Sequence, residues 1–152
     1  MKVNIQFESI SEDGEKIISN IFAVMEVRKF DFRLVYVEDL SGNGNMTKST
    51  MFISPDGMRI IRKGELNTDF MYGRELTHNT TYKTPYGNVP VTIETKSFVF
   101  DLVSRDNPDI RLGVGGVLTD DFIMSCNTAY TLTMGGEKPM EMGINITITR
   151  TM

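Results

Sequence analysis

The chain is poor in the residues on which most catalytic and metal-binding sites depend. Its 152 residues include one cysteine, Cys126, and one histidine, His78. A single cysteine excludes an internal disulfide and a multi-cysteine metal site, and a single histidine excludes a two-histidine metal site. GxSxG, Walker A and HExxH motifs are absent. The sequence therefore predicts no metal and no cofactor. Cys126 shares its strand parity with Phe122 and Met124, which favours a buried, unreactive thiol.

Long apolar runs and an excess of positive charge are also missing. No run approaches the ~20 apolar residues that a membrane-spanning helix needs. The first ten residues, MKVNIQFESI, alternate polar and apolar residues and do not resemble a signal peptide. The net charge of -4 argues against nucleic-acid binding, because phosphates require a basic face. We expect a cytoplasmic protein with one domain, 1–152, and with neither membrane nor nucleic acid as a partner.

The dominant pattern is an alternation of apolar and polar residues. Val3, Ile5 and Phe7 alternate with polar neighbours, and a similar alternation recurs near the C-terminus. A period of two is typical of a half-buried β-strand. About eleven short strands are predicted, at 2–8, 15–27, 31–39, 46–54, 57–63, 65–72, 74–83, 89–103, 110–118, 121–134 and 140–149.

Two of these segments depart from a simple alternation. In 15–27, several apolar residues also fit a helical stripe, and Asp13 is a suitable helix cap, so helix and strand remain open there. In 89–103, the apolar parity changes between Ile93 and Phe98. A strand cannot change face without an inserted residue, so we predict a β-bulge near Thr95–Ser97. Long, bent, bulged strands are what closure of a sheet into a barrel requires.

Three turns connect consecutive strands as antiparallel hairpins. Residues 54–57 (SPDG) and 84–87 (TPYG) place proline second and glycine fourth, so both Gly57 and Gly87 are predicted to have a positive φ. For 84–87 we predict a type I turn with Gly87 in the left-handed bulge position. Gly135 and Gly136 close a third hairpin.

Several segments together resemble the YwiB-like family of small, uncharacterised bacterial proteins. These segments are DGEK (13–16), TKSTMFI (47–53), IRKG (61–64), YKTPYG (82–87), VTIETKSF (91–98), the glycine pair at 115–116 and the segment Tyr130–Leu132. The resemblance covers nearly the whole chain. It departs at AVMEVRKFDFRL (23–34), which lacks the expected glycine and paired tyrosines. The resemblance implies an all-β, calycin-like antiparallel barrel, similar in shape to lipocalins and fatty-acid-binding proteins, and favours strand for 15–27. It carries no catalytic residue.

Polar side chains share the apolar faces of several predicted strands. If those faces point into the barrel, one arginine, one histidine and three tyrosines project inward. A buried arginine needs a hydrogen-bonded or charged partner, and a carboxylate fits its geometry. Alternatively, Arg62 reaches the barrel rim from its strand end, and His78 is either exposed or satisfied by hydrogen bonds within the structure. The candidate ligand-binding residues are Tyr36, Arg62, His78, Tyr82 and Tyr130.

Three functions are compatible with this pattern. The first is a non-enzymatic module that binds a small amphipathic or anionic ligand in the barrel. The second is a structural or protein-interaction domain with a filled barrel, in which the eleven methionines simply fill the core. The third is an enzyme that uses His78 and a tyrosine as an acid–base pair around Arg62. No feature demands catalysis, so the binding module ranks first. A homodimer is a further option.

Overall fold

The computed structural model describes residues 1–40, 42, 44–64, 66–113 and 118–151, and these residues form ten β-strands and no helix. The strands are long where alternating residues bury one face, as in β8 and β9. Their bounds are β1 Lys2–Ile10, β2 Lys16–Val27, β3 Phe32–Glu38, β4 Thr47–Ile53, β5 Gly57–Lys63, β6 Thr68–Gly73, β7 Thr77–Thr84, β8 Gly87–Ser104, β9 Phe122–Met134 and β10 Met140–Arg150.

All ten strands belong to one antiparallel sheet with the order β6-β5-β4-β3-β2-β1-β10-β9-β8-β7. The sheet thus consists of two meanders, β1–β6 and β7–β10, that are joined by pairing of β1 with β10. The outer strands β6 and β7 approach each other and nearly close a barrel. Between them Asn67 and Lys83 exchange backbone hydrogen bonds of 3.2 and 3.0 Å. The predicted all-β antiparallel barrel is confirmed.

The bulge in β8 is present where the change in parity predicts it. The register of β8 against β9 shifts between Thr95 and Ser97. At the bulge, Thr95 contacts the connection between β6 and β7. Its N–H donates a hydrogen bond to the Leu76 carbonyl at 3.0 Å, and its hydroxyl accepts one from the Gly73 N–H at 3.2 Å. The bulge therefore bends β8 so that it ties down one end of the closure.

Segment 15–27 is a strand, and the helical alternative is wrong. β2 pairs with β1 from Lys16 to Val24 but with β3 only from Val24 to Val27. Because β3 leaves β2 after that point, residues 16–20 are exposed on both faces. Without one buried face, this half of the strand lacks the alternation that identifies the others.

The predicted strand 110–118 is wrong for the residues that are described. Residues 114–117, which include the glycine pair, lie outside them. Arg111 makes an isolated bridge to Val103, and the Leu112 N–H donates to the Leu102 carbonyl at 2.8 Å. This contact fastens the β8–β9 loop to β8 without adding a strand.

The two proline-glycine turns use their glycines differently. Gly87 has a φ of 133°, so the predicted positive angle is confirmed. Gly57 does not have a positive φ, and that prediction is wrong. Instead, a Cβ at Gly57 would lie 2.7 Å from the Tyr72 carbonyl oxygen of the adjacent strand. Glycine is required at 57 by close packing of two backbones rather than by the turn angle.

The core fills the inner face of the sheet along most of its width. Its members come from nearly every strand, as the alternation requires. The largest fully buried side chains are Phe32, Phe122, Ile5, Leu34, Met51, Ile53, Ile60, Ile93, Leu102, Met124, Ile146 and Ile148. The inner face becomes polar toward the closing strands, and that end holds the candidate site.

Candidate functional site

Four polar residues form a row across the inner face of β3, β4, β5 and β6. In the strand registers Tyr36 is opposite Ser49, Ser49 is opposite Arg62, and Arg62 is opposite Thr68. Directly opposite residues in antiparallel strands have Cβ atoms about 5 Å apart, so the row is continuous. We call these four residues the polar inner row.

Arg62 is paired with a carboxylate inside this end of the barrel. Its Nε lies 3.3 Å from Oε2 of Glu38, and the two side chains are only 17% and 10% exposed. The Ser49 hydroxyl lies 3.4 Å from the same carboxylate oxygen. Arg62 therefore neither extends into bulk solvent nor remains an isolated buried charge. Glu38 was not among the predicted site residues, although its parity with Phe32, Leu34 and Tyr36 could have identified it.

Both ends of the polar inner row are hydroxyl groups in need of a partner. The Tyr36 hydroxyl and the Thr68 hydroxyl are buried and have no hydrogen-bond partner among the described residues. Buried polar groups are nearly always hydrogen-bonded, so unsatisfied ones indicate a binding position for water or ligand. Burial, reinforced by the negative charge of Glu38, raises the pKa of Tyr36 above its usual value, and Arg62 opposes this increase.

Two further tyrosines lie beside this row. Tyr72 and Tyr130 pack edge to face with ring centroids 4.9 Å apart. Burial raises the pKa of both tyrosines, and the neighbouring Tyr130 raises that of Tyr72 further. Arg62 opposes both increases. Tyr72 was missed by sequence reasoning, although its parity with Phe70 pointed inward. We refer to Tyr36, Tyr72 and Tyr130 as the inner tyrosines.

His78 lies on β7 and bridges the gap to β6. Its Nε2 is 2.9 Å from the Asp69 carbonyl oxygen. Since a carbonyl can only accept a hydrogen bond, this nitrogen carries the proton. The Asp69 carboxylate points to the outer surface, where Arg59 binds it through Nε at 2.8 Å and through a terminal nitrogen at 2.6 Å and lowers its pKa. His78 thus connects two strands that otherwise share little backbone bonding.

Tyr82 also lies on the inner face of β7, opposite Val89 of β8, where it is half-buried and packs against the core. Neither Tyr82 nor His78 makes a hydrogen bond or an ion pair with Arg62. Arg62 therefore lies close enough to Tyr36 and Tyr130 to oppose their pKa increases, whereas His78 and Tyr82 lie on β7, across the closure from Arg62.

A groove runs along the closure between β6 and β7. We call it the seam groove; it has a volume of about 550 Å³ and is lined by Ile61, Arg62, Lys63, Asn67, Thr68, Asp69, Thr80, Thr81 and Lys83. Arg62, Thr68 and Thr80 belong to the inner faces of their strands, whereas Lys63, Asp69 and Lys83 belong to the outer faces. The groove therefore connects the outside of the barrel with the polar inner row.

The remaining chemistry-bearing groups are the single thiol and the side chains that could bind a metal. Cys126 is fully buried, and burial raises the pKa of its thiol to about 12. Among the described residues, no three His, Cys, Asp or Glu side chains are placed to hold a metal ion. Within the same part of the chain, no helix is long and apolar enough to cross a membrane.

Two comparisons with known proteins identify relatives of this chain. The family model "Domain of unknown function (DUF1934)" matches residues 2–146. The crystal structure of the ywiB protein from Bacillus subtilis superposes with a TM-score of 0.76 and 17% sequence identity, covering 99% of this chain and 92% of that chain. No curated protein matches the sequence. At this identity the structural likeness shows the fold alone. Because the family model spans nearly the whole chain, the protein belongs to the YwiB-like family, the domain of unknown function DUF1934.

Proposed function

We propose that the protein is a non-enzymatic binding module that holds a small anionic or amphipathic ligand at the polar end of the barrel. The ligand's anionic group contacts Arg62, and its remaining part lies in the seam groove. The observation that carries this proposal is a half-buried arginine in the wall of an open groove, beside a buried threonine hydroxyl that lacks a partner.

The charges of the groove suit an anion. Arg62, Lys63 and Lys83 line it, and Asp69, the one acidic residue among the described residues that line it, is neutralised from the outside by Arg59. Glu38 contacts Arg62 through Nε alone. An arginine has five N–H donors, so its terminal nitrogens retain the capacity to bind a carboxylate or phosphate oxygen.

The dimensions of the groove also suit a small molecule. Ligand sites generally have volumes of about 300–1,000 Å³ and combine apolar walls with a few polar anchors. The seam groove falls in this range, and the Thr68 hydroxyl offers a hydrogen bond beside Arg62.

The enzyme alternative has less support. His78 uses Nε2 to bond a backbone oxygen, which assigns it to closing the barrel. The inner tyrosines have raised pKa values, so they remain protonated at neutral pH and are poor bases. The interaction-domain alternative is favoured by a different part of the surface, at β2 and β3.

The test compares Arg62 with an arginine on the outer face of the sheet. Octanoate, which combines a carboxylate with a short apolar chain, is titrated into the protein by isothermal titration calorimetry. The double variant Glu38→Gln/Arg62→Met removes the inner pair without leaving an unpaired charge. Arg33→Met is the matched control, since Arg33 lies on the outer face of β3, pairs with the exposed Glu26 and does not line the seam groove. Far-UV circular dichroism verifies the fold of each variant.

We expect octanoate to bind the wild-type protein and the Arg33 variant equally, and the double variant at least about tenfold more weakly, which is about 1.4 kcal/mol. Unchanged affinity in the double variant would contradict the role of Arg62. Native mass spectrometry of the purified protein provides an independent check, since a retained anionic molecule supports the proposal.

A further inference from the structure

The sheet has a second opening, between β2 and β3, which is several strands away from the seam groove. β2 and β3 pair from Val24–Val35 to Val27–Phe32, and beyond Val24 the two strands diverge. Residues 16–23 of β2 and 36–38 of β3 then have no partner strand on their facing edges. The gap is a continuous cleft of two adjoining parts, of about 570 and 430 Å³, which share Phe22 and Val37. We call it the β2–β3 cleft.

Backbone groups of both edges point into this cleft. The N–H of Met25 donates to the Met1 carbonyl at 2.8 Å, which shows that β2 bonds β1 through its odd-numbered residues. Backbone groups alternate in direction along a strand, so those of Ile18, Asn20 and Phe22 face β3. By the same alternation from Val35, those of Val37 face β2. No described strand satisfies these groups.

The rim of the cleft is apolar and exposed. Phe22, Val24 and Val37 are 77%, 58% and 56% exposed, and Ile18 and Leu40 extend the same surface. Natural sheets protect long edges with prolines, bulges or charges, because an uncovered edge pairs with other chains. The exposed edge of β2, IISNIFA (17–23), contains no proline and no charged residue. Such an edge is typical of an interaction surface.

Charges are unequally distributed along the cleft. Lys2 and Lys48 line the part nearest the point where β2 and β3 separate. Glu38 and Asp39 line the far part. A segment that fits this distribution is acidic near the point of separation and basic at the other end.

We propose that the β2–β3 cleft binds an extended peptide segment of another protein, which adds to the sheet as a strand antiparallel to β2. Its alternate apolar side chains pack on Phe22 and Val37, its N-terminal end carries an acidic residue near Lys2 and Lys48, and its C-terminal end is basic. Unpaired N–H and C=O groups on two facing edges are complementary to the backbone of a strand.

A folded second copy fits this cleft less well. β2 of a second copy is paired along residues 16–24 with its own β1. If that β2 entered the cleft, its β1 would occupy the place of β3. A single extended segment has no such neighbour, and about seven residues span roughly 23 Å, close to the length of the free edge.

The probe is the peptide acetyl-DVTVTVK-amide, titrated into the ¹⁵N-labelled protein and followed by NMR chemical shifts of backbone amides. We expect shifts at Asn20, Phe22 and Val37. The charge-swapped peptide acetyl-KVTVTVD-amide, of the same composition, should bind several-fold more weakly, because each of its terminal charges then lies near cleft residues of like charge.

Variants at Phe22, Phe30 and Asn20 distinguish strand pairing in the cleft from nonspecific hydrophobic binding. Phe22→Asp should weaken binding at least about tenfold, whereas Phe30→Asp, at a residue exposed to the same degree but outside the cleft, should have no effect. Asn20→Pro removes an N–H that points into the cleft and not toward β1, so the protein should fold but lose peptide binding.

Each remaining outcome would overturn the proposal. These outcomes are no binding of the peptide at millimolar concentration, equal binding of the two peptides, shifts centred on another part of the sheet, or equal effects of the two phenylalanine variants. If the free protein sediments as a dimer and Phe22→Asp converts it to a monomer, the cleft is instead occupied by a second copy.

Discussion

Replacing Arg62 by methionine removes the positive charge from the inner ion pair and leaves its carboxylate behind. Glu38 is 10% exposed and would retain only the long contact with the Ser49 hydroxyl. With Glu38 3.3 Å away, we expect the single variant to be destabilised, because a partly buried carboxylate loses its counter-charge.

The magnitude follows from the burial of the pair. Breaking a fully buried ion pair costs about 3–5 kcal/mol, and the remaining exposure of Glu38 reduces this to about 2–4 kcal/mol. For a domain of this length, that loss lowers Tm by roughly 5–15 °C. Glu38→Gln alone should cost about 1–2 kcal/mol, because the amide oxygen still accepts a hydrogen bond from Arg62. The double variant should lie within about 1 kcal/mol of the wild type.

Urea unfolding followed by far-UV circular dichroism measures the four free energies of unfolding, since the chain lacks tryptophan as a fluorescent probe. The coupling energy of the double-mutant cycle should exceed about 1 kcal/mol. If the two single changes add up in the double variant, Arg62 and Glu38 do not interact appreciably, and the polar inner row needs another explanation.

Four other predictions concern the inner tyrosines, the thiol and two glycines. The pKa values of the inner tyrosines are raised in the folded state, so their contribution to stability is present below the ordinary pKa of 10.0 and is lost as pH rises above it. Absorbance at 295 nm should therefore show them ionising together with unfolding, and a gradual titration of all the tyrosines before unfolding would contradict this. Cys126 should not react with Ellman's reagent at pH 8 until urea unfolds the chain, because its thiol is buried and has a pKa of about 12; rapid modification of the native protein would refute its burial. Gly57→Ala should destabilise by about 1–3 kcal/mol in urea unfolding, because its Cβ meets a backbone oxygen, while Gly136→Ala, with open space around it, should not. Gly87→Ala should cost about 1 kcal/mol because of its positive φ, and an unchanged Tm would exclude strain at this turn.

Alternation along single strands was sufficient to predict most of the sheet. The change of parity between Ile93 and Phe98 located the β8 bulge, because a strand with one buried face records each inserted residue in its sequence. The same signal failed for β2, where the missing β3 neighbour leaves residues 16–20 without a buried face. It failed again in the described part of the predicted strand 110–118, where the backbones of Arg111 and Leu112 attach a loop to β8 instead of forming a strand.

The site was harder to predict because it depends on registers between strands. Parity placed Arg62 and Tyr36 on inner faces, but their common row becomes evident only when β3, β4 and β5 are aligned. Glu38 and Arg62 are 24 residues apart, and no local pattern links them. His78 was predicted as a chemical group, yet its ring spans the closure to Asp69, a role that requires knowledge of which two strands close the barrel.

The two joins between the meanders differ greatly in strength, and this difference determines how the barrel is assembled. β1 and β10, from opposite ends of the chain, share eight residue pairs, Val3–Arg150 to Ile10–Gly143. The join between β6 and β7 consists of one backbone pair and the contacts of His78 and Thr95. During synthesis β1–β6 can form by local hairpins, but β1 acquires its second neighbour only when β10 has been made. The nascent sheet therefore exposes both of its outer strands until β10 has been made. In the finished protein, the join made by adjacent strands is the one that can open at the least cost, while the join between the chain ends holds the sheet together.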